Sequence, residues 1–383
     1  MKNSYRSPVL RNQSKPYVGD DTAYISTDEL GKRVGRNTGN LAFLFALMKQ
    51  IKAIRHSSDA GSAQGDVSVL GCSNWIHARR ERPDYIAMLR NTEGPFVAIG
   101  LGAQANTGES EFDIPPTTLE FLRLLAKRAP SDAPNISVRG EYTYQVLKRA
   151  GLQDSAIVLG CPSLFLNPDP KLGESIARTL ATRPERVASA PGDLLARSNK
   201  HDTIERSLAE IAHAYGGGYV IQHPMSVIGL LRDSWSEVDS NVVNVVGQRL
   251  WPGLASEELR KWIRSNGRVF SSVPMWLEYL RTVDFMIAAR IHGCALAIQA
   301  GRPGLCIALD ERQIELCESM ELPYLDADSC TKGVSMERAY DVVRQHDWVK
   351  FDENRRKLAT KYEWFLRQNG LRPAKCLQRL CVA

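Results

Sequence analysis

The densest group of chemically useful side chains lies in Phe285-Met286-Ile287-Ala288-Ala289-Arg290-Ile291-His292-Gly293-Cys294-Ala295-Leu296-Ala297. An apolar strand pattern runs straight into Arg290 and His292, and a helix of small apolar residues follows. A strand end of this kind would set a guanidinium and an imidazole beside the free N–H groups and positive dipole end of a helix, a combination suited to a phosphate or carboxylate. Gly293 would let a ligand approach the backbone closely. The competing reading is that Arg290 bonds a neighbouring carbonyl and His292 is a half-buried histidine with its hydrogen bonds made. Ile136-Ser137-Val138-Arg139-Gly140-Glu141-Tyr142-Thr143 repeats the arrangement in the first half, with Glu141 in the first helical turn suiting the dipole. Arg139 would then face Arg290 and His292 across a cleft; its alternative is a pairing with Glu141 or another carboxylate.

Two further stretches belong with these. Residues 97–106 read as a strand ending in a glycine turn that lines the cleft, with Gln104 at its end. Ala105 stands where a dinucleotide fingerprint would have its third glycine, so that motif is not met. Asn40, after Gly39, either caps the helix that follows or points its amide into the cleft. The seven histidines show no HExxH or i,i+4 pairing, so no metal is expected. The chain has neither a G-x-S-x-G elbow nor a P-loop.

The elements that would position these residues alternate. Strand patterns at 67–71, 96–102, 135–139 and 156–160 are separated by helical patterns at 41–51, 85–90, 118–129 and 141–150. A stretch rich in proline and charge, 168–184, reads as a linker. The pattern then restarts, with strands at 186–190, 219–222, 268–270, 285–288 and 304–309 and helices at 204–215, 275–281, 294–300 and 313–320. Continuous apolar strands between helices imply parallel sheets covered on both faces. The expected fold is α/β, with two Rossmann-like domains facing across a cleft (GT-B-like) and C-terminal helices closing it. The expected boundaries are a flexible segment at 1–20, a first domain at 21–167, the linker at 168–184, a second domain at 185–330 and a helical segment at 331–383.

Composition narrows the setting. The formal net charge of +6 and pI near 8.8 fit anionic substrates or acidic lipid headgroups, or a mildly basic solvated surface. The basic run at 77–82 lacks interleaved aromatics, so nucleic acid is not an expected partner. The eight cysteines form no CxxC pair and read as reduced thiols of a cytoplasmic protein. The first twenty residues are polar, without a signal-peptide core, and no apolar run reaches about 18 residues.

Taken in order, Thr38-Gly39-Asn40-Leu41, Ile99-Gly100-Leu101-Gly102-Ala103-Gln104, Ser137-Val138-Arg139-Gly140-Glu141, Gly160-Cys161-Pro162-Ser163-Leu164 and Arg290-Ile291-His292-Gly293 resemble the polysaccharide pyruvyl transferase family over roughly residues 36–325. The resemblance implies phosphoenolpyruvate as donor, a sugar hydroxyl pair as acceptor, a cyclic ketal as product, and no metal or other cofactor. It assigns Arg139 and Arg290 to the donor's phosphate and carboxylate, His292 to the phosphate and to acid catalysis at a pKa near neutrality, and Asn40 to the acceptor. Arg139, Arg290, Ile291, His292, Gly293 and Arg312 form the expected donor site, and Asn40 and Gln104 the acceptor site. Where family members often carry a lysine, this chain has Asp310-Glu311-Arg312, and the positive charge falls to Arg312. The acceptor would be a polysaccharide or its lipid-linked precursor, the latter allowing peripheral contact at the inner face of the membrane. Its remaining contacts would come from loops around Asp202 or from 225–251 with Trp235. Two alternatives stay open: a glycosyltransferase of the same architecture using a nucleotide-sugar, and a non-catalytic saccharide-binding relative.

Overall fold

Thirteen short strands, most of them apolar and all paired in parallel, build the framework of a computed structural model describing residues 6–57, 65–104, 112–233 and 235–381. The first sheet contains β1 (Pro8–Arg11), β2 (Arg55–Ser57), β3 (Val67–Gly71), β4 (Asn74–His77), β5 (Phe96–Gln104), β6 (Ile136–Val138) and β7 (Ala156–Val158). Its order is β2-β1-β3-β5-β6-β7, with β4 paired to the far end of β5. The second contains β8 (Val187–Ala190), β9 (Tyr219–Val220), β10 (Gly267–Arg268), β11 (Phe285–Ala288), β12 (Gly304–Ala308) and β13 (Tyr324–Asp326) in the order β10-β9-β8-β11-β12-β13. Counted from β8 this is 3-2-1-4-5-6, the doubly wound arrangement. The strand order reverses between β8 and β11 in the second sheet and between β1 and β3 in the first. The crevices outside those strand ends are where such sheets take ligands.

Several boundaries differ from the sequence reading. Residues 8–11, expected within a flexible N-terminal segment, form a buried strand between β2 and β3. Only Val9 and Leu10 mark it, too short a run to register among polar neighbours; residues 1–5 lie outside the described residues. The expected linker holds the helix Leu172–Thr179, which buries Leu172 and Ile176 against the long helix Trp348–Gln368. The expected glycine turn after residue 102 is instead continued strand. Gly100, at φ 79°, shifts the register and lets β5 run on to Gln104; Ala105 and Asn106 lie outside the described residues. The C-terminal helices do close the fold. Asn369 donates to the Pro134 carbonyl at 2.9 Å, Ala374 N–H to the Gln50 carbonyl at 2.8 Å, and helix Lys375–Cys381 lies on helix Asn40–Gln50. Among the described residues no helix is long and apolar enough to cross a membrane.

The two halves meet through fixed contacts. Glu315, on helix Glu311–Met320 of the second half, accepts from Thr143 N–H at 2.6 Å and from its hydroxyl at 3.1 Å. That hydroxyl also accepts from Ala103 N–H at 3.0 Å, tying the end of β5 into the same cluster. Thr38 N–H donates to the Gln222 carbonyl at 3.1 Å, and Asn167 N–H to the Gln299 side chain at 2.8 Å. Gly140 is what allows this approach. A Cβ there would fall 2.3 Å from Glu315 Cγ and 2.4 Å from Ser319 Oγ. Gly140→Ala should therefore force the halves apart, at a cost of about 1–3 kcal/mol. Denaturant unfolding that shows no loss of stability in this variant would contradict the tight apposition.

Candidate active site

The strand-end residues of both halves converge on one cavity of about 390 Å³. Arg139, Arg290, Ile291, His292, Arg312, Asn40 and Gln104 all line it, together with Arg36, Asn74, His77, Arg80, Gln222 and His223. Among the described residues, five arginines and three histidines face the cavity, and no carboxylate does.

Arg139 follows β6 and is only 5% exposed. Its Nε donates to the Gly100 carbonyl at 2.9 Å, Nη1 to Asn74 Oδ1 at 3.1 Å and Nη2 to the Cys72 carbonyl at 3.4 Å. Gly102 makes the room, since a Cβ there would lie 2.7 Å from Asn74 Oδ1 and 3.0 Å from Arg139 Cδ. Arg290 follows β11 at the reversal point of the second sheet. Its Nε donates to the Gly192 carbonyl at 2.9 Å and its Nη2 to His223 Nδ1 at 3.0 Å. A guanidinium only donates, so His223 Nδ1 carries a lone pair and that ring is neutral, with its proton on Nε2. Every partner of the two arginines is neutral, and among the described residues no carboxylate reaches salt-bridge distance of either. Glu141, the carboxylate first considered for Arg139, bonds Gln145 instead. Burial lowers the pKa of both guanidinium groups. Each nevertheless keeps spare N–H donors from its complement of five.

His292 lies between them in the first turn of helix Ile291–Gln299, which starts three residues earlier than its sequence suggested. Arg290 is the residue before that helix, no side chain caps it, and the first two helical residues, Ile291 and His292, border the same cavity as the arginines. The Phe43 ring lies 6.0 Å from the Arg139 guanidinium carbon and 6.1 Å from the His292 ring. Burial first, then the charges of Arg139 and Arg290, push the His292 pKa down to about 3. Its expected value near neutrality is therefore not met, and this environment favours the uncharged imidazole. Gln222 adds a second unmet group: its side chain is buried at the cavity wall and its Nε2 has no hydrogen-bond partner. Orphan donors of this kind are uncommon and fit a missing acceptor.

Other expectations change. Gly293 does not border the cavity; its missing side chain lets the helix pack on β11, where a Cβ would lie 2.8 Å from that of Ala288. Asn40 does not cap its helix. It is the first helical residue, and its Nδ2 donates back to the Val34 carbonyl at 2.9 Å, holding the 34–40 turn. Arg312 is at the cavity but is not a free charge, because Asp310 accepts its Nε at 3.1 and 3.2 Å. The 225–251 stretch is two helices, Met225–Arg232 and Ser240–Leu250, with Trp235 donating to the Leu230 carbonyl. Asp202 pairs with Arg249 at 2.7 Å. Neither Asp202 nor Trp235 lines the cavity. Sequence reasoning missed Asn74, Gln222 and His223. His223-Pro224 directly after β9 was the one readable signal, since it too ends a strand of the second sheet.

The family model for polysaccharide pyruvyl transferases matches residues 24–311 of this chain. The chain belongs to the polysaccharide pyruvyl transferase family. The match of this pyruvyl transferase takes in Asn40, Arg139, Arg290 and His292 and stops one residue short of Arg312. No curated protein matches it significantly. Among solved structures, an uncharacterized protein of Klebsiella pneumoniae is 11% identical, covering 84% of this chain and 93% of its own, with a TM-score of 0.41. The UDP-GlcNAc 2-epimerase of Neisseria meningitidis, bound to UDP-GlcNAc, is 13% identical over 90% of this chain and 80% of its own, at 0.36. The UDP-N-acetylglucosamine 2-epimerase of Rickettsia bellii is 12% identical over 94% and 97%, at 0.41.

One supporting group acts from behind the pyruvyl transferase cleft. Glu205 is buried, and both its oxygens accept from Gly192 N–H, at 3.0 and 3.1 Å, while the Gly192 carbonyl holds Arg290. Burial raises the Glu205 pKa to about 7 from its ordinary 4.5. Its contribution to stability is thus complete below the unfolded value and lost as pH rises through the folded one. Glu205→Gln removes this titration. The melting temperature of the variant, relative to the unsubstituted protein, should rise between about pH 5 and about pH 8; parallel pH courses would contradict the assignment.

Proposed function

We propose that the cleft binds phosphoenolpyruvate and transfers its pyruvyl group to a pair of hydroxyls on a saccharide, forming a ketal and releasing phosphate. The observation that carries this reading is the pair of guanidinium groups, Arg139 buried and Arg290 half-buried, bonded only to neutral partners beside an uncapped helix N-terminus. Dehydrated cations without counter-ions are costly, and a ligand bearing both a phosphate and a carboxylate relieves two of them at once. In the reaction one sugar hydroxyl adds to the C2 of the donor while its methylene carbon takes a proton. The first hydroxyl gives up its proton to the imidazole as the methylene carbon is protonated; the second hydroxyl then displaces phosphate at C2, the C2–O bond to phosphate breaks, and that hydroxyl's proton leaves with the phosphate. Arg139, Arg290 and the helix N–H groups stabilise the departing phosphate. His292 supplies the methylene proton.

The low pKa of free His292 fits this role once the donor is bound. Burial and the two guanidinium groups together hold the imidazole neutral; the donor's negative charge offsets the guanidinium groups and stabilises the charged ring, so the ring gains a proton together with the donor. Calorimetric titration with phosphoenolpyruvate near neutral pH, in two buffers of different ionisation enthalpy, should show proton uptake that His292→Gln abolishes. Equal uptake in both proteins would remove His292 as the proton carrier. For turnover, the protein is incubated with phosphoenolpyruvate and candidate glycans while phosphate and the new ketal carboxylate are followed. Arg139→Ala and Arg290→Ala should each lower turnover about 10²–10³-fold. Phosphate release that survives both substitutions would overturn the reading.

A further inference from the structure

The first sheet has a crevice of its own, apart from the arginine cleft. Its strand order reverses between β1 and β3, and outside those strand ends lies a cavity of about 470 Å³, within the range of small-molecule sites. Arg11 and Asn12 at the end of β1 and Trp75 beyond the end of β3 form its base. Asn12 is held on both sides by Gly71, accepting from its N–H at 2.9 Å and donating to its carbonyl at 2.8 Å. Trp75 stacks on Tyr85 with centroids 4.2 Å apart, and Phe121 backs both rings at 6.3 and 5.4 Å. The Arg82 guanidinium carbon sits 5.4 Å from the Tyr85 ring, and its Nε donates to the Trp75 carbonyl at 3.0 Å. These contacts brace the aromatic wall, with Trp75 largely buried between its neighbours. Asp84, Asn91 and Gln13 bring a carboxylate and two amides to the same cavity.

A rigid aromatic wall next to a carboxylate, amides and a guanidinium matches a sugar ring, which presents apolar C–H faces and a rim of hydroxyls. Position adds to chemistry. Successive side chains of a strand face opposite sides. On β4, Asn74 bonds Arg139 in the cleft, and Trp75, the next residue, lines this second cavity. We infer that the cavity at the β1/β3 reversal is a saccharide subsite that holds a hexopyranose ring of the acceptor, one strand's width from the arginine cleft. Only its role for the acceptor rests on the pyruvyl-transfer reading. The expected acceptor residues Asn40 and Gln104 line the cleft instead.

The test is saturation-transfer NMR on the full chain with the methyl glycosides of glucose, galactose, mannose and glucuronic acid, and with phosphoenolpyruvate separately. Ala87 is exposed on helix Pro83–Asn91 and lines the cavity, so Ala87→Trp fills it without burdening the core. At least one glycoside should receive saturation. Ala87→Trp should abolish that signal, and Asp84→Ala should raise the dissociation constant at least about tenfold, while the vinyl protons of phosphoenolpyruvate respond as before and melting confirms that both variants fold. No transfer to any of the four glycosides, or transfer that survives Ala87→Trp, overturns the subsite. A glycoside signal that obeys the variants without any phosphoenolpyruvate signal supports the subsite and counts against the donor reading alone.

Discussion

The arrangement depends on an unbalanced charge: one guanidinium group is buried and a second half-buried, and both are given only carbonyl, amide and imidazole partners. A stabilising design would pair each with a carboxylate, because an uncompensated buried cation is among the costlier things a fold can carry. Carboxylates are near. Glu315 and Glu205 sit behind Arg139 and Arg290, but they are turned to Thr143 and Gly192. They act on the backbone that aims the arginines and leave the guanidinium faces for a ligand. Burial, with the field of the same two guanidinium groups added to it, empties His292 of its proton, so the arginines bear on both anion affinity and the protonation state of the acid.

Holding that charge in place is the work of the domain contact. Arg139 belongs to the first sheet and Arg290 to the second, and their common cavity exists only while the halves remain apposed. Gly140 next to Arg139 supplies the close approach, and the Glu315–Thr143–Ala103 chain fixes it. The C-terminal chain crosses back onto helix Asn40–Gln50, which also carries Phe43, the ring beside both Arg139 and His292. Stability and site geometry are thus maintained by the same contacts.

The sequence made the cleft legible where chemistry sits directly after an apolar strand. Arg139 after β6, and Arg290 with His292 after β11, were readable because strand ends point to the crevice of a parallel sheet. What was not readable depended on partners distant in the chain. Asn74 matters through Arg139, 65 residues on, and His223 through Arg290, 67 residues on. No local pattern encodes either pair. Strand β1 has only two aliphatic residues and is fixed by its neighbours in the sheet. The His292 pKa could not be inferred from its neighbours in sequence, because one of the two charges that set it arrives from the other half. Gly293 was misplaced and Asn40 left between two readings for a related reason: a glycine or an asparagine at a helix start serves packing, capping or ligands equally well until its surroundings are known.

The most direct test of the buried-charge account is thermal melting with increasing phosphoenolpyruvate. A ligand that neutralises the two arginines binds only the folded chain, so the melting temperature should climb with concentration, and an Arg139→Met, Arg290→Met double variant should lose that response. A melting temperature indifferent to phosphoenolpyruvate, or one that climbs equally in the double variant, would contradict the central claim.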